Sequence, residues 1–237
     1  SHQRHLFVRD RVKYLSHLCA DAMVSNFSVD PRRDPILSLI ARLKRSEVIR
    51  NGYLFEAPPD LAQPSDVMQV VMVARLNKQK NLDAAIRLAR ALKSRKMAVR
   101  FDIIGEGLER AHLEALVKAM QVEDIVLFHG SLFPWRHLVD TESIFLSTSH
   151  NEGMPNVVFE AMSHGMVTIT PELSETRDVL THGQNTLSYR SEADLLALFE
   201  NVLPNRPLRD TLREGGYALL RRFSVEKMYR HYASLFD

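Results

Sequence analysis

The chain has 237 residues, 45% hydrophobic and 25% charged, enough to close a core without disulfide staples. Its 31 Lys and Arg against 29 Asp and Glu leave a formal net charge of +2, too balanced to single out nucleic acid as a partner. A single cysteine, Cys19, excludes an intrachain disulfide or a cysteine zinc site, and no apolar run is long enough to span a bilayer.

In chain order, residues 5–20 form a basic segment that predicts a helix, and Cys19 within it reads as a small buried residue in a reducing, cytoplasmic setting. No signal peptide is visible, and a start at Ser1 implies that the native N-terminus lies earlier. Residues 22–24 are a short strand candidate, 30–35 a Pro/Asp-rich turn, 36–43 a helix and 48–49 a strand ending at Asn51-Gly52. Residues 57–60 and 63–66 have linker composition. Two strands cannot close a domain, so 1–66 is expected to be the tail of a larger domain and 67–237 a domain of its own.

From Val67 the pattern is regular. The continuous apolar run at 70–73 predicts a strand buried on both faces. Leu82, Ile86, Ala89 and Leu92 recur at helical spacing behind Asn81, placed as an N-cap. Strands are predicted near 99–103, 125–128, 144–146, 167–169 and 186–189. Helices are predicted near 113–120, 157–162, 193–202, 208–220 and 225–235, with a short helix or turn at 134–139. The basic stretches 42–45 and 87–100 read as solvated helix faces. Alternating strands and helices with short connections predict an α/β fold with a doubly wound parallel sheet.

In such a sheet ligands bind beyond the carboxyl ends of the strands, and the unusual residues cluster there. Arg75 follows the first strand of this unit, Gly105-Glu106-Gly107 the second, His129-Gly130 the third, residues 147–156 the fourth and Thr170-Pro171 the fifth. The turn Gly153-Met154-Pro155-Asn156 opens a helix whose free N–H groups and dipole favour an anion. Glu152 and Glu160 flank it and suit sugar hydroxyls as donors; a dipole partner and a solvated charge are the plainer alternatives. Arg75 and Lys80 bracket a loop facing that turn and suit a diphosphate, although such a pair taken alone is usually surface charge.

Other features carry less. Gly105-x-Gly107 lacks the third glycine of a dinucleotide fingerprint, since Arg110 stands there, and a tight turn accounts for it. His129 and His150 are lone histidines. Asp140-Thr141-Glu142 precedes a strand, faces the wrong rim for a metal-bound diphosphate and reads as structural; no essential metal is expected.

The stretch Glu152-Gly153-Met154-Pro155-Asn156-Val157-Val158-Phe159-Glu160, followed by Ala161-Met162 and Gly165, resembles the signature of retaining glycosyltransferase family four, the group 1 glycosyl transferases of GT-B fold. Ala74-Arg75-Leu76 with Lys80-Asn81, Ile104-Gly105-Glu106-Gly107 and Phe128-His129-Gly130 resemble its first three loops. Residues 48–52 resemble its interdomain hinge, and Phe223-Ser224 with the next helix its closing helix. The resemblance implies that 67–237 is the C-terminal nucleotide-sugar domain and 1–66 a remnant of the N-terminal acceptor domain. Arg75 and Lys80 would stabilise the leaving diphosphate, Glu160 would hold the ribose and Glu152 would face the donor sugar. Gly105, His129 and Gly130 would line the nucleotide site, the last two meeting the base mostly through backbone. Amides around Gly153, Met154, Pro155, Asn156 and Val157 would hold sugar and phosphate.

The resemblance further implies a UDP-sugar or GDP-sugar donor, no cofactor and no metal. A glycan or lipid-linked acceptor is implied, with polysaccharide or lipopolysaccharide assembly as the setting. Peripheral contact with the cytoplasmic face of the inner membrane, through the absent N-terminal part, is a further implication, as is weak turnover by this chain alone. Departures are Pro171-Glu172-Leu173 where the family has a glycine pair, Asp178 as its acidic residue, and Thr186 where glycine is common. A non-catalytic nucleotide-binding or assembly module and a GT-B sugar-nucleotide epimerase are the alternatives.

Overall fold

The structure is a computed structural model and describes residues 22–25, 35–43, 45–49, 51–53, 67–140, 142–152 and 155–234. The expected helix over 5–20, Cys19, the linker segments 57–60 and 63–66, Thr141, Gly153 and Met154 lie outside the described residues.

Strands β1 (Ala22–Ser25) and β2 (Arg45–Val48) pair in parallel, with helix α1 (Pro35–Leu43) between them in sequence. β2 starts three residues before the strand expected at 48–49. Its register with β1 runs from Ala22 opposite Arg45 to Ser25 opposite Val48. Arg45, Ser46 and Glu47 carry no apolar signal, so only the pairing reveals them as a strand.

The main sheet has six parallel strands: β3 (Met68–Val73), β4 (Val99–Ile104), β5 (Val126–Gly130), β6 (Ile144–Leu146), β7 (Val167–Pro171) and β8 (Leu187–Tyr189). Between and after them lie α2 (Leu82–Ser94), α3 (Arg110–Met120), α4 (Asn156–Ser163), α5 (Glu192–Val202), α6 (Arg206–Leu220) and α7 (Val225–Ala233). Side chains alternate across the strands. Val70, Met72, Phe101, Ile103, Ile144 and Leu146 face one core with α2, α3 and α5. Val71, Ile104 and Phe145 face the other with α4 and the end of α6. A sheet covered on both faces explains why its strands read as unbroken apolar runs.

Several helix starts follow local sequence. Ser191 and Asp194 form a reciprocal capping box for α5, and Asn205 caps α6 with its side chain. Asn81 does not cap as expected: it sits in left-handed backbone at φ 47 and makes no side-chain cap bond to α2. The side-chain cap is Asn77, whose Oδ1 accepts from Lys80 N at 3.1 Å and closes the 3-10 turn Lys78–Lys80.

The strand order is β5-β4-β3-β6-β7-β8. The chain runs outward from β3 to β5, then returns to the other side of β3 with β6. The connections after β3 and β6 therefore leave in opposite directions and open a crevice at their carboxyl ends. All five rim segments singled out from the sequence lie at carboxyl ends of strands.

Candidate functional site

A cleft of about 640 Å³ occupies that crevice. Arg75 after β3, Lys80 closing the 3-10 turn, Gly105-Glu106 after β4, and Asn156, Val157 and Glu160 of α4 line it. So do Leu132, Phe133 and Trp135 from the segment after β5.

Backbone hydrogen bonds extend the sheet into its rim. Ala74 N donates to Ile104 O (3.0 Å), Leu76 N to Glu106 O (2.9 Å) and Gly105 N to Gly130 O (2.7 Å). This zipping requires glycine. Gly105 has φ +141, and a Cβ there would lie 1.9 Å from Ala74 O; at Gly107 it would lie 2.2 Å from Leu76 O. Arg110, where a dinucleotide fingerprint would have its third glycine, places its guanidinium 4.7 Å from the Phe128 ring centroid and pairs with Glu106 and Glu114.

On the other side of the crevice, the loop after β6 is tied to the 3-10 turn. His150 N donates to Gln79 O (2.9 Å), Gln79 Nε2 to Asn151 Oδ1 (2.9 Å) and Thr148 Oγ1 to Lys80 O (2.7 Å). Lys80 Nζ donates to Glu152 Oε1 at 2.5 Å. Two residues expected to act separately on the donor are thus bonded to each other. Among the described residues only Oε1 of Glu152 is engaged, and the ammonium keeps further N–H donors. Arg75 is exposed, and its guanidinium has no partner among the described residues.

Pro155 stands just before helix α4 at its N-cap, and its carbonyl accepts from Val158 N (2.9 Å). The first turn leaves the amides of Asn156 and Val157 without an intrahelical acceptor, at the positive end of the helix dipole. One turn on, Glu160 is half-buried. Burial holds its carboxyl above the usual range, offset in part by a hydrogen bond from the Trp135 indole. Trp135 is itself buried in the core beside α4. Trp135 and Glu160 both line the cleft.

Arg75, Lys80, Gly105, Asn156, Val157 and Glu160 therefore share one cleft, with Glu152 attached through Lys80. His129 does not line it. The register of β5 on β4 shifts between Phe128 and Gly130, and His129 Nε2 lies 2.7 Å from Asp102 Oδ1. Asp102 is buried in β4; burial alone raises its carboxyl, but hydrogen bonds from Gln69, His129 and Arg100 outweigh this and hold it below the ordinary range. Gly130 contributes its carbonyl to Gly105. Pro155 is buried beneath the helix start. His150 is exposed and meets Gln79 through its backbone.

Asp140 and Glu142 lie at the opposite rim, tied to Arg100 and to Arg209 and Arg213 respectively. Among the described residues no three His, Cys, Asp or Glu gather as a metal centre would require. Thr186, where glycine was expected, is fully buried and donates to Thr168 O at 2.9 Å. Glu172 is held by Arg177 and Arg190.

Sequence reading missed three lining or supporting aromatics. Trp135 lies in the expected short helix or turn at 134–139, a 3-10 helix over Trp135–Leu138, with nothing in the sequence to mark it as lining a cleft. Phe133, 90% exposed at the mouth, carries no periodic signal. Tyr53 reaches the site from a distant segment: its hydroxyl donates to Asn156 Oδ1 at 2.8 Å and its ring stacks on Phe159.

Comparison with known proteins adds to this geometry. The chain is 30% identical over 188 residues to the lipopolysaccharide core biosynthesis glycosyltransferase LpsD of Rhizobium meliloti, covering 76% of this chain and 54% of that protein. It is 31% identical over 186 residues to the putative colanic acid biosynthesis glycosyltransferase WcaL of Salmonella typhimurium, covering 73% and 45%. It spans about half the length of these relatives. Its fold superposes on the crystal structure of TarM with a TM-score of 0.82 at 18% identity, over 96% of this chain and 46% of that one. The Anabaena HepE structure, crystallised with UDP and glucose, gives 0.78 at 18% identity over 95% and 66%. The model of the glycosyl transferases group 1 matches residues 55–219, the stretch that holds the whole cleft and both signature glutamates, and the chain belongs to that family.

Proposed function

We propose that residues 67–237 form the nucleotide-sugar-binding domain of a retaining glycosyltransferase and that 1–66 are the tail of its acceptor domain. The observation that carries this is the meeting of Arg75, Lys80, the α4 amides and Glu160 in one cleft at the topological switch point.

The roles follow from chemistry. Arg75 offers a forked donor and Lys80 a compact charge to a diphosphate seated against the α4 amides. Glu160 accepts hydrogen bonds from the ribose. Glu152 keeps Oε2 for a donor-sugar hydroxyl while Oε1 holds Lys80. Leu132 and Phe133 give the base an apolar wall. In the transfer, the bond from the anomeric carbon to the diphosphate breaks as a bond to the acceptor hydroxyl forms on the same face. The acceptor proton passes to the departing phosphate oxygen. The protein supplies positioning and charge stabilisation, with the two cations doing the work a metal does elsewhere.

The relatives named for lipopolysaccharide core and colanic acid biosynthesis favour a glycan or lipid-linked acceptor. The UDP in the HepE structure favours a uridine donor over a guanosine one. Isothermal titration of this chain with UDP, GDP and NAD tests the reading. Binding of one nucleoside diphosphate and not of NAD is expected; no binding of either diphosphate would overturn it. The anomeric configuration of the product, read by NMR with the full-length enzyme, tests retention.

A further inference from the structure

Residues 51–53 connect the β1–β2 unit toward the main domain, and they are pinned on two sides. Tyr53 N donates to Phe223 O at 2.8 Å, and Tyr53 bridges Ser224 in parallel. Gly52 lies so close to α7 that a Cβ would sit 2.5 Å from Val225 Cα. The Tyr53 ring stacks on Phe159 of α4 with centroids 5.2 Å apart and planes at 10°.

This connector reaches the donor cleft through one side chain. Asn156 Oδ1 accepts from Tyr53 Oη at 2.8 Å and from Asn51 Nδ2 at 2.8 Å. A carbonyl oxygen has two lone pairs, so Oδ1 is filled. Because the carboxamide is planar, fixing Oδ1 fixes Nδ2 on the other side. Nδ2 has no partner among the described residues, and Asn156 lines the cleft with Arg75, Lys80 and Glu160. Without the two donors the amide rotates freely about χ2 and presents oxygen, which repels phosphate, as readily as nitrogen.

Resting on the nucleoside-diphosphate reading of the cleft, we infer that Tyr53 and Asn51 are positioning residues. They hold the Asn156 carboxamide with its N–H donors toward the diphosphate, and donor affinity thereby depends on how the 51–53 connector sits against α4 and α7.

The test is titration of wild type and variants with the nucleoside diphosphate that wild type binds, and with the matching nucleoside, which has no phosphate. Tyr53→Phe keeps the stack and deletes the hydroxyl. It is expected to lose roughly five- to tenfold in diphosphate affinity, the scale of one hydrogen bond, with no change for the nucleoside. Asn51→Ala, a second variant that leaves the aromatic packing intact, is expected to lose in the same direction. Asn156→Ala is expected to lose at least as much, and Tyr53→Phe added to it nothing further, since both act through one amide. Asn156→Asp still accepts from Tyr53 and Asn51 but turns a carboxylate on the phosphate, and is expected to lose more than Asn156→Ala.

Wild-type affinity in Tyr53→Phe and Asn51→Ala, additive losses in the double variant, or an equal loss for the nucleoside would each overturn the inference while leaving the cleft assignment standing. Failure of wild type to bind any nucleoside diphosphate would instead remove the cleft assignment, and this inference with it.

Discussion

Of the two cations in the cleft, Lys80 has a carboxylate partner and Arg75 has none among the described residues. The difference assigns them separate work. Lys80 is partly neutralised by Glu152 and braces the loops on either side of the crevice. Arg75 stands exposed, so removing its side chain breaks no hydrogen bond or ion pair among the described residues. Arg75→Ala is therefore expected to leave the melting temperature unchanged and to lower diphosphate affinity roughly 10- to 100-fold, the scale of a charge-assisted hydrogen bond. Titration calorimetry beside a thermal melt checks both halves. The residue types at this site were legible because they stand at strand ends and in a recognisable spacing. The Lys80–Glu152 bond and the Trp135 support of Glu160 were not, since each joins segments many residues apart.

At the level of elements, the site is a set of loops fastened by their backbones. The connections after β3 and β4 continue the sheet's hydrogen bonding past the strand ends, the latter onto the last residue of β5, and glycines at 105 and 107 permit that approach. Gly105-x-Gly107 thus serves loop packing, and through it the wall of the cleft. Gly105→Ala is expected to cost at least about 3 kcal/mol, because it combines a disfavoured φ with a clash against backbone that cannot swing aside. Urea denaturation measures this. Gly183, with φ +74 but nothing within 4 Å of an added Cβ, serves as the control and should cost less when made Ala. Helix and strand positions followed hydrophobic period closely from Val67 onward. β2 was misplaced because its polar residues are a strand only by virtue of pairing with β1, which periodicity does not report.

Across the whole molecule, the candidate cleft and a buried ion-pair cluster occupy opposite rims. The carboxyl ends carry the cleft. At the amino-terminal rim Glu142 holds Arg209 and Arg213 of α6, with Arg213 Nη2 at 2.9 Å. All three side chains are largely buried, so removing the carboxylate takes the shared anionic partner from two guanidinium groups, leaving Arg209 only the carbonyls of Val202 and Leu203 among the described residues, while Arg213 keeps the Gly165 carbonyl and Asp210. Glu142→Ala is expected to cost about 3 kcal/mol in urea denaturation while diphosphate affinity stays at the wild-type level. Burial by itself would raise the Glu142 carboxyl, but the Arg213 hydrogen bond and the charges of Arg213 and Arg209 hold it below the ordinary range. A carboxyl depressed in the folded state stabilises above its unfolded pKa, and that contribution is lost as pH falls through the folded one. The stability gap between wild type and Glu142→Gln is therefore expected to be full at neutral pH and to close below about pH 4, read from melts across pH.

Periodicity in the chain was enough to establish the α/β class and the alternating elements of the main domain. Side-chain type and spacing were enough to nominate Arg75, Lys80 and Glu160, because charge and local helix geometry act over a few residues. The strand order, and with it the crevice between β3 and β6, required the assembled sheet. So did the bond between Lys80 and Glu152, the turn of His129 toward Asp102, and the reach of Tyr53 across 103 positions to Asn156. Those contacts join residues distant in sequence, and they exist only after the loop-closure entropy of bringing the elements together has been offset by the packed core.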